Sequence, residues 1–342
     1  MHEPPVEMDL SVSPPLEDPP DDSTAIARYP VLAEFRERLG NTPLEPAPGP
    51  PGGAAIVAKH EFGNPFGSVK DRPAYALLCG AIDDHGDAPE PLRLVDFSGG
   101  NMARALSGLG ALTGIPIRLA VPEAIAPSLQ TALKEDGTEL DFVPSDQFLY
   151  GIMRRAAAIA AEEPGWTLLH QHRNVRNVAV HQFGTGGEIL RQLGSEVAGG
   201  WVAAIGTGGT LAGVDRALRS RFPDLAVTGV SPEELPYGTA EPPNARRKFP
   251  GSGGIGYGFR QPFVDRFMER RPAERTVSYE RALAAMNEFR DLTGLSIGPS
   301  SAANWLVAWD LAERMPPGRT VVTLFADAGT VEDWANAEAI RA

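Results

Sequence analysis

One of the chain's four lysines stands where a reactive amine is expected. Lys70 lies in the segment EFGNPFGSVKDR, residues 61–72, in which an Asn-Pro pair and a glycine predict a turn before a helix. A cation in the first turn of a helix opposes the helix dipole. An imine between Lys70 and a carbonyl cofactor accounts for this placement, because the amine is then no longer an ordinary surface ammonium. The alternatives are an exposed Lys70 without a partner and, as the reactive amine, Lys59 at a strand end.

A glycine-rich turn further along the chain offers a place for a phosphate. In WVAAIGTGGTLAG, residues 201–213, an apolar strand runs into a Gly-Thr-Gly-Gly-Thr turn and a helix follows. Backbone N–H groups of such a turn, together with the partial positive charge of the helix N-terminus, suit an anion. Leu211 stands where the dinucleotide fingerprint needs its third glycine, and no G-K-[ST] of a P-loop occurs. A structural turn without a ligand is the alternative.

Three further segments place small or polar residues between strands and helices. In DFSGGNMAR, residues 96–104, Asn101 either contacts a bound ring or caps the following helix. The segment GLSIGPSSAAN, residues 294–304, predicts a short strand, a proline turn and a helix capped by one of its two serines. Residues 251–259, GSGGIGYGF, predict a loop whose backbone approaches a ligand closely.

The elements that must position these residues alternate along the chain. Apolar runs typical of strands are separated by helical patterns, which predicts parallel sheets covered by helices. Residues 1–28 are rich in proline and acid and predict a flexible tail. Residues 45–53 predict a loop. The strands are expected at 54–59, 92–97, 117–121, 138–143, 166–169, 201–205, 225–230 and 320–326, and the helices near 31–39, 70–83, 102–112, 127–136, 147–161, 178–193, 210–220, 278–292 and 302–314.

Composition and charge exclude several classes of protein. The chain is 42% apolar, but no apolar run reaches the length of a bilayer span. The N-terminal residues lack the pattern of a signal peptide, so a cytoplasmic location is expected. The net charge of −13 disfavours nucleic-acid binding. One cysteine allows no intrachain disulfide, and no Cys/His cluster has metal-ligand spacing. His170 and His172, which would face the same way on a strand, are interpreted as ordinary core or loop residues.

In their order, these motifs resemble those of the pyridoxal 5′-phosphate (PLP) enzymes of fold type II, and among them the cysteine synthase and cystathionine β-synthase family. The resemblance covers roughly residues 30–326. It makes Lys70 the Schiff-base lysine. It implies that Asn101 bonds the ring hydroxyl of the cofactor and that Ser300 faces its pyridine nitrogen. It further implies that the cofactor phosphate is bound by a cup formed by Gly206, Thr207, Gly208, Gly209 and Thr210. The substrate-binding residues that it implies are Ser98, Gly99, Gly100, Met102, Gln171, Gly254 and Ile255.

The resemblance also implies the architecture. The fold class is α/β, with two three-layer αβα domains built on parallel-rich sheets, as in the tryptophan synthase β-like fold, and the cofactor lies in the cleft between them. The smaller domain is expected to hold residues 55–145, and the larger one 29–54 and 146–342 with the phosphate-binding loop. A homodimer is expected on the same ground.

The implied reaction is β-replacement on an O-activated serine-like amino acid through an aminoacrylate, with a small nucleophile as second substrate. The alternative is β-elimination of the serine/threonine dehydratase or cystathionine β-synthase kind. A neutral serine opposite the ring nitrogen favours loss of a β-leaving group over racemisation or transamination. The family's hydroxyl residues are replaced by Gly99 and Met102, which predicts a specialised relative, and Arg104 is a candidate replacement for the carboxylate contact. The strand end Asp327-Ala328-Gly329 departs from the family as well.

Overall fold

The computed structural model describes residues 11–238, 256, 258 and 260–341, whose strands form two sheets. The larger sheet has six strands in the order β1-β2-β10-β7-β8-β9, and the smaller has four in the order β5-β4-β3-β6. Only the pairing of the first two strands is antiparallel within these sheets. The strands are β1 (Leu44–Ala47), β2 (Ala55–His60), β3 (Arg93–Phe97), β4 (Ile117–Pro122), β5 (Glu139–Val143), β6 (Trp166–Leu168), β7 (Ala198–Ala204), β8 (Ala226–Pro232), β9 (Ala273–Val277) and β10 (Thr320–Phe325).

Helices connect the strands and cover the sheets. Short 3₁₀ turns lie at Glu61–Gly63 and Ser145–Gln147, and Val180–Gly186 is π-helical. The α-helices are α1 (Ser23–Arg28), α2 (Val31–Arg38), α3 (Asp71–His85), α4 (Asn101–Thr113), α5 (Pro127–Glu135), α6 (Phe148–Glu162), α7 (Arg176–Ala179), α8 (Gly187–Gln192), α9 (Gly209–Arg219), α10 (Pro262–Phe267), α11 (Tyr279–Thr293), α12 (Pro299–Arg314) and α13 (Val331–Arg341).

The larger sheet is buried on both faces, as its central strand shows. Every residue of β10 is buried, which explains why four of its six residues are large and apolar and the other two are threonines. Because side chains alternate along a strand, Val322 and Leu324 pack into the core that includes α9, while Val321 packs on the opposite face against α12. Three layers result, with helices on either side of the sheet.

The smaller sheet repeats this arrangement. Leu94 of β3 packs with residues of α3 and α4, whereas its neighbours Val95 and Phe97 pack against α6. The expected pair of three-layer α/β units is therefore confirmed.

The sheets divide the chain differently from the expected domain boundaries. Strand β2, placed by the sequence in the smaller unit, pairs with β10 in the six-stranded sheet. Strand β6, placed in the larger unit, pairs with β3 in the four-stranded sheet, and α6 packs on it. The sheet membership of these two strands thus does not follow the boundaries at 55 and 145, because it is decided by pairing partners distant in sequence, and the domain boundaries themselves stay a prediction.

Local expectations fail at several other places. Residues 23–28, assigned to the flexible tail, form α1 with Ala25 buried. Part of the expected loop 45–53 belongs to β1, and the short strand expected just after residue 294 is absent from this part of the described chain. The sequence also missed the edge strand β9 and the helices α10 and α13, whose exposed residues weaken the apolar pattern. Among the described residues, every helix is too short or too polar to cross a membrane.

Candidate active site

A cleft between the two sheets collects most of the residues singled out in the sequence. Its lining comes from the carboxyl ends of β7 and β10, from the segments that follow β2, β3, β6, β7 and β10, and from the starts of α4, α9 and α12. All five strands belong to parallel ladders, and loops at the carboxyl ends of parallel strands are the usual ligand site of such sheets. Lys70, Ser98, Asn101, Gln171, Gly206, Ser300 and Asp327 all line it.

The Lys70 amine is held in the cleft without a partner. Lys70 directly precedes α3, and the N–H of Val69 donates to the Ala326 carbonyl at 2.8 Å, which ties this segment to the end of β10. Among the described residues, Lys70 Nζ makes no hydrogen bond or ion pair. Burial lowers the pKa of Lys70 to about 8, against an opposing effect of the Asp327 carboxylate. The neutral, nucleophilic amine is therefore accessible near neutral pH.

The rival lysine is a structural residue. The Lys59 side chain is fully buried and its Nζ lies 2.7 Å from Glu188 Oε2. The same atom donates to the Thr42 carbonyl at 2.5 Å and to Gln192 Oε1 at 2.8 Å. With its hydrogens directed to these acceptors, Lys59 is not available as a reactive amine.

The glycine-rich turn lies beside Lys70. A Cβ placed on Gly206 would be 4.0 Å from Lys70 Nζ. Gly208 takes a left-handed conformation (φ 81°) and α9 begins at the next residue, so the N–H groups of the first helical turn follow directly on the end of β7 and have no partner within the helix. Thr207 Oγ1 accepts from the Gly209 N–H at 3.2 Å and from Asn177 Nδ2 at 3.1 Å.

Thr210, the last residue of the turn, also lines the cleft and is held from behind. Its hydroxyl lies 3.2 Å from His181 Nε2, inside the core formed by the π-helical segment and α9. The turn is therefore braced by buried side chains while its backbone stays open to the cleft, as an anion site requires.

Asn101 does not cap its helix. It is the first residue of α4, the preceding Gly100 is the cap, and Asn101 Nδ2 donates to Asp327 Oδ2 at 2.6 Å. Neither serine after residue 299 is the cap of α12, since Gly298 occupies that position. The cap interpretations of these residues are therefore wrong, and none of their side chains caps a helix.

The two adjacent serines behave differently. Ser301 Oγ donates to the Asp327 carbonyl at 3.2 Å and accepts from the Ala326 N–H at 2.9 Å. Ser300 lines the cleft, and among the described residues its hydroxyl has no hydrogen-bond partner. Ser300 thus presents a neutral hydroxyl to whatever occupies the cleft.

The residues expected to bind the substrate are only partly brought together. Ser98, Gly100, Met102 and Gln171 line the cleft, whereas Gly99 is buried. Gln171 Nε2 donates to the Phe97 carbonyl at 2.9 Å, so part of this amide holds the loop in place. Met102 is 1% exposed and belongs to the apolar core of the smaller sheet. The other two expected residues, Gly254 and Ile255, lie outside the described residues.

Arg104 does not provide the replacement cation that was considered. Its guanidinium lies 2.5 Å from Asp136 Oδ2, in an ion pair away from the cleft.

Three polar residues that line the cleft were not recognised as site residues in the sequence: His172, Asn304 and Asp327. His170 and His172 lie in a turn after β6 and not on a strand. His172 stacks on Phe97 and its Nδ1 lies 2.8 Å from Gln261 Oε1, while burial lowers its pKa to about 3 and keeps the imidazole neutral. The position of Asp327 directly after a buried strand was the one sequence signal that could have indicated it.

The arrangement fits pyridoxal phosphate. An unpartnered amine for the aldehyde stands next to a turn with free N–H groups for the phosphate, and glycine at 206 leaves the space between them open. An amide from Asn101 and a hydroxyl from Ser300 complete the set of groups that such a ring requires.

Comparisons with known proteins agree with this geometry. The family model described as "Pyridoxal-phosphate dependent enzyme" matches residues 35–327. A probable cysteine synthase of Bacillus subtilis is 29% identical over 87% of this chain and 95% of its own length. Cysteine synthase B of Salmonella typhimurium is 32% identical over 86% of this chain and 92% of its own length.

Solved structures agree as well. The O-acetylserine dependent cystathionine beta-synthase from Helicobacter pylori superposes with a TM-score of 0.76 at 28% identity, covering 86% of this chain and 94% of that one. With the matching cofactor site and the extent of these matches, the chain belongs to the family of pyridoxal-phosphate dependent enzymes.

Proposed function

We propose that the protein catalyses β-replacement on an O-activated, serine-like amino acid, with a small nucleophile as second substrate. The observation that carries the proposal is the unpartnered Lys70 amine between the glycine-rich turn and the free hydroxyl of Ser300. The similarity to enzymes named cysteine synthase and to an O-acetylserine dependent enzyme supports this reaction class.

Each residue of the cleft has a part in this reaction. Pyridoxal phosphate, when bound, supplies an aldehyde for the substrate amine and a ring that withdraws electrons from Cα. Lys70 would hold the aldehyde, and its free amine would take the α-proton of the substrate as general base, for which its lowered pKa suits it. Ser300 faces the ring nitrogen with a hydroxyl too weakly acidic to keep it protonated, which favours departure of the β-leaving group.

The phosphate is assigned to Gly206, Thr207, Gly208, Gly209 and Thr210. Gly209→Ala is expected to lower PLP affinity by about ten- to a hundredfold, the effect of one lost hydrogen bond to a charged group. A Cβ at 209 would lie 2.3 Å from Asn177 Oδ1 and would displace the amide that holds Thr207. Equilibrium dialysis of apoprotein with PLP measures the effect.

The matched control is Gly187→Ala. Gly187 lies in helical backbone (φ −62°), and the nearest atom to an added Cβ is Arg191 Nη1 at 3.6 Å. This variant is expected to bind PLP as the wild type does. Equal losses of affinity in both variants would count against the assignment of the turn to the phosphate.

The substrate carboxylate is assigned to the loop from Ser98 to Met102 and to Gln171, and the family resemblance adds Gly254 and Ile255. The first turn of α4 directs backbone N–H groups into the cleft, and Ser98 adds a hydroxyl. Gly99 and Met102 contribute no polar side chain. We therefore propose a substrate or nucleophile other than those of the ordinary cysteine synthase reaction.

This specialisation can be tested by restoring the missing hydroxyls. The Gly99→Ser/Met102→Thr variant is expected to raise kcat/KM for O-acetylserine and sulfide by about ten- to a hundredfold over the wild type. Met153→Thr is the control, since Met153 is equally buried in the smaller unit but does not line the cleft. Turnover of O-acetylserine by the wild type at the rate of ordinary cysteine synthases would contradict the proposal. Product analysis separates replacement from elimination, which yields a 2-oxo acid and ammonia.

We further propose that the protein is a cytoplasmic homodimer, as the family resemblance implies. Light scattering on the purified protein measures its mass in solution, and a monomer at micromolar concentration would contradict this assembly.

A further inference from the structure

The carboxylate of Asp327 is directed at Asn101 by two hydrogen bonds. Its Oδ2 accepts from Asn101 Nδ2 at 2.6 Å, and its Oδ1 accepts from the Gly329 N–H at 2.9 Å. Burial raises the pKa of Asp327, while the hydrogen bonds from Asn101 and Gly329 and the charge of Lys70 oppose that rise and favour the ionised form. In this form the carboxylate only accepts, so it selects the amide nitrogen of Asn101 and excludes the orientation turned by 180°. The oxygen of this amide and its second N–H then have fixed directions in the cleft.

The backbone around Asp327 is built to keep the carboxylate in place. A Cβ on Gly298 would lie 1.9 Å from Asp327 Oδ1, so a glycine is required where the acid packs. The Gly298 N–H donates to the Asp327 carbonyl at 3.0 Å, and the preceding carbonyl, that of Ala326, accepts from Val69. Asp327 is thereby joined to the segment that carries Lys70 and to the start of the helix that carries Ser300.

Asp327 is also the acid that acts on Lys70. Its charge opposes the effect of burial on the pKa of the lysine. The imidazoles that face Lys70, those of His172 and His181, have pKa values lowered by burial and are neutral at pH 7. Asp333 of α13, a buried acid that interacts with Asp327, is hydrogen-bonded to Thr330 and does not line the cleft.

We propose that Asp327 is a positioning residue of the cofactor site, which fixes the Asn101 amide and supplies the negative charge that balances the cationic linkage between Lys70 and the cofactor. This inference rests on the proposed function, because it takes Lys70 and Asn101 as cofactor ligands. It assigns two separable effects to one side chain: a hydrogen bond that acts through Asn101 and a charge that acts on Lys70.

Two substitutions separate these effects. Asp327→Asn removes the charge but keeps an oxygen that can accept from Asn101, whereas Asp327→Ala removes both. In the PLP-loaded protein, the pH midpoint of the visible absorption band is expected to fall by about 1 to 3 units in Asp327→Asn, because loss of a nearby anion disfavours the protonated linkage. Asp327→Ser, which is smaller and keeps a hydroxyl acceptor, gives the same comparison if Asp327→Asn does not fold.

The hydrogen bond is tested through cofactor affinity. Asp327→Ala is expected to weaken PLP binding by about tenfold in the wild-type background and to have no further effect on affinity in Asn101→Ala. Asp333→Asn is the control, since it removes a buried acid of the same segment and is expected to leave the midpoint of the band unchanged.

The outcomes distinguish a failure of the role assigned to Asp327 from a failure of the proposed function. One outcome would overturn the role of Asp327 alone. In it, the wild type shows a visible band that Lys70→Ala loses, and the band of Asp327→Asn titrates at the same pH as that of the wild type. Equal effects of Asp327→Ala with and without Asn101 would overturn the positioning role. A wild-type protein that forms no visible band with PLP would overturn the proposed function and this inference with it.

Discussion

Lys70→Ala is expected to lower kcat/KM by at least about a thousandfold and to abolish the visible absorption band of the PLP-loaded protein. The variant loses the amine that holds the cofactor aldehyde and also the general base, which alone contributes about 10² to 10⁴ in rate. Because Lys70 Nζ has no partner among the described residues, its removal breaks no ion pair, and the fold should be retained. Steady-state kinetics and absorption spectra measure the two effects.

The surface variant Lys134→Ala is the control, since Lys134 is exposed on α5 and does not line the cleft. It should keep full activity and the full band. Borohydride reduction of the loaded wild type, followed by peptide mass analysis, should place the cofactor on the peptide that contains Lys70. A label on the peptide containing Lys59, or an active Lys70→Ala protein, would refute the assignment.

The residues of the cofactor site could be predicted because their signals are local. Lys70, Asn101 and the turn at 206–210 each lie between a strand and a helix, where chain direction alone brings them to the carboxyl edge of a sheet. The residue types that form each of these turns stand within a few consecutive positions of the sequence.

Other features of the site depend on contacts that the sequence does not carry locally. Asn101 and Asp327 are 226 positions apart, so their hydrogen bond could not be inferred from spacing. The cap interpretation of Asn101 follows local preference and is wrong because α4 begins at Asn101 itself and Gly100 holds the cap position, while the Asn101 amide nitrogen donates to this distant acid. Sheet membership has the same origin, since β2 joins the larger sheet through β10 near the other end of the chain.

The motif that contains the reactive lysine also contains Arg72, two residues further along the chain, whose role is structural. Arg72 is buried, and its Nε lies 2.6 Å from Glu61 Oε2 while its Nη1 lies 2.7 Å from Glu188 Oε1. Glu188 is shared with the buried Lys59 at 2.7 Å. The network joins the turn before α3, strand β2 and helix α8, so it clamps the segment that carries Lys70 to the larger unit.

Arg72→Met is therefore expected to lower the free energy of unfolding by about 3–5 kcal/mol, because it leaves the buried Glu61 without its cation and Glu188 with Lys59 alone. Methionine keeps much of the apolar volume, so the loss reports mainly on charge. Urea denaturation measures it. The control is Arg281→Met, whose ion pair with Glu288 at 2.8 Å lies at the surface and contributes no more than about 1 kcal/mol. Equal losses in the two variants would contradict a buried network.

The same network predicts how stability depends on pH. Burial raises the pKa of Glu188, but its hydrogen bond and attraction to Arg72 prevail and lower the pKa from 4.5 to about 2. Since the folded-state pKa lies below the unfolded one, this stabilisation is complete above pH 4.5 and is lost as the pH falls toward 2. In Arg72→Met the pKa of Glu188 is expected to lie closer to its unperturbed value. The free energy of unfolding should therefore fall less steeply between pH 4.5 and pH 2 than it does in the wild type. A parallel acid dependence in both proteins would mean that other carboxylates govern acid unfolding.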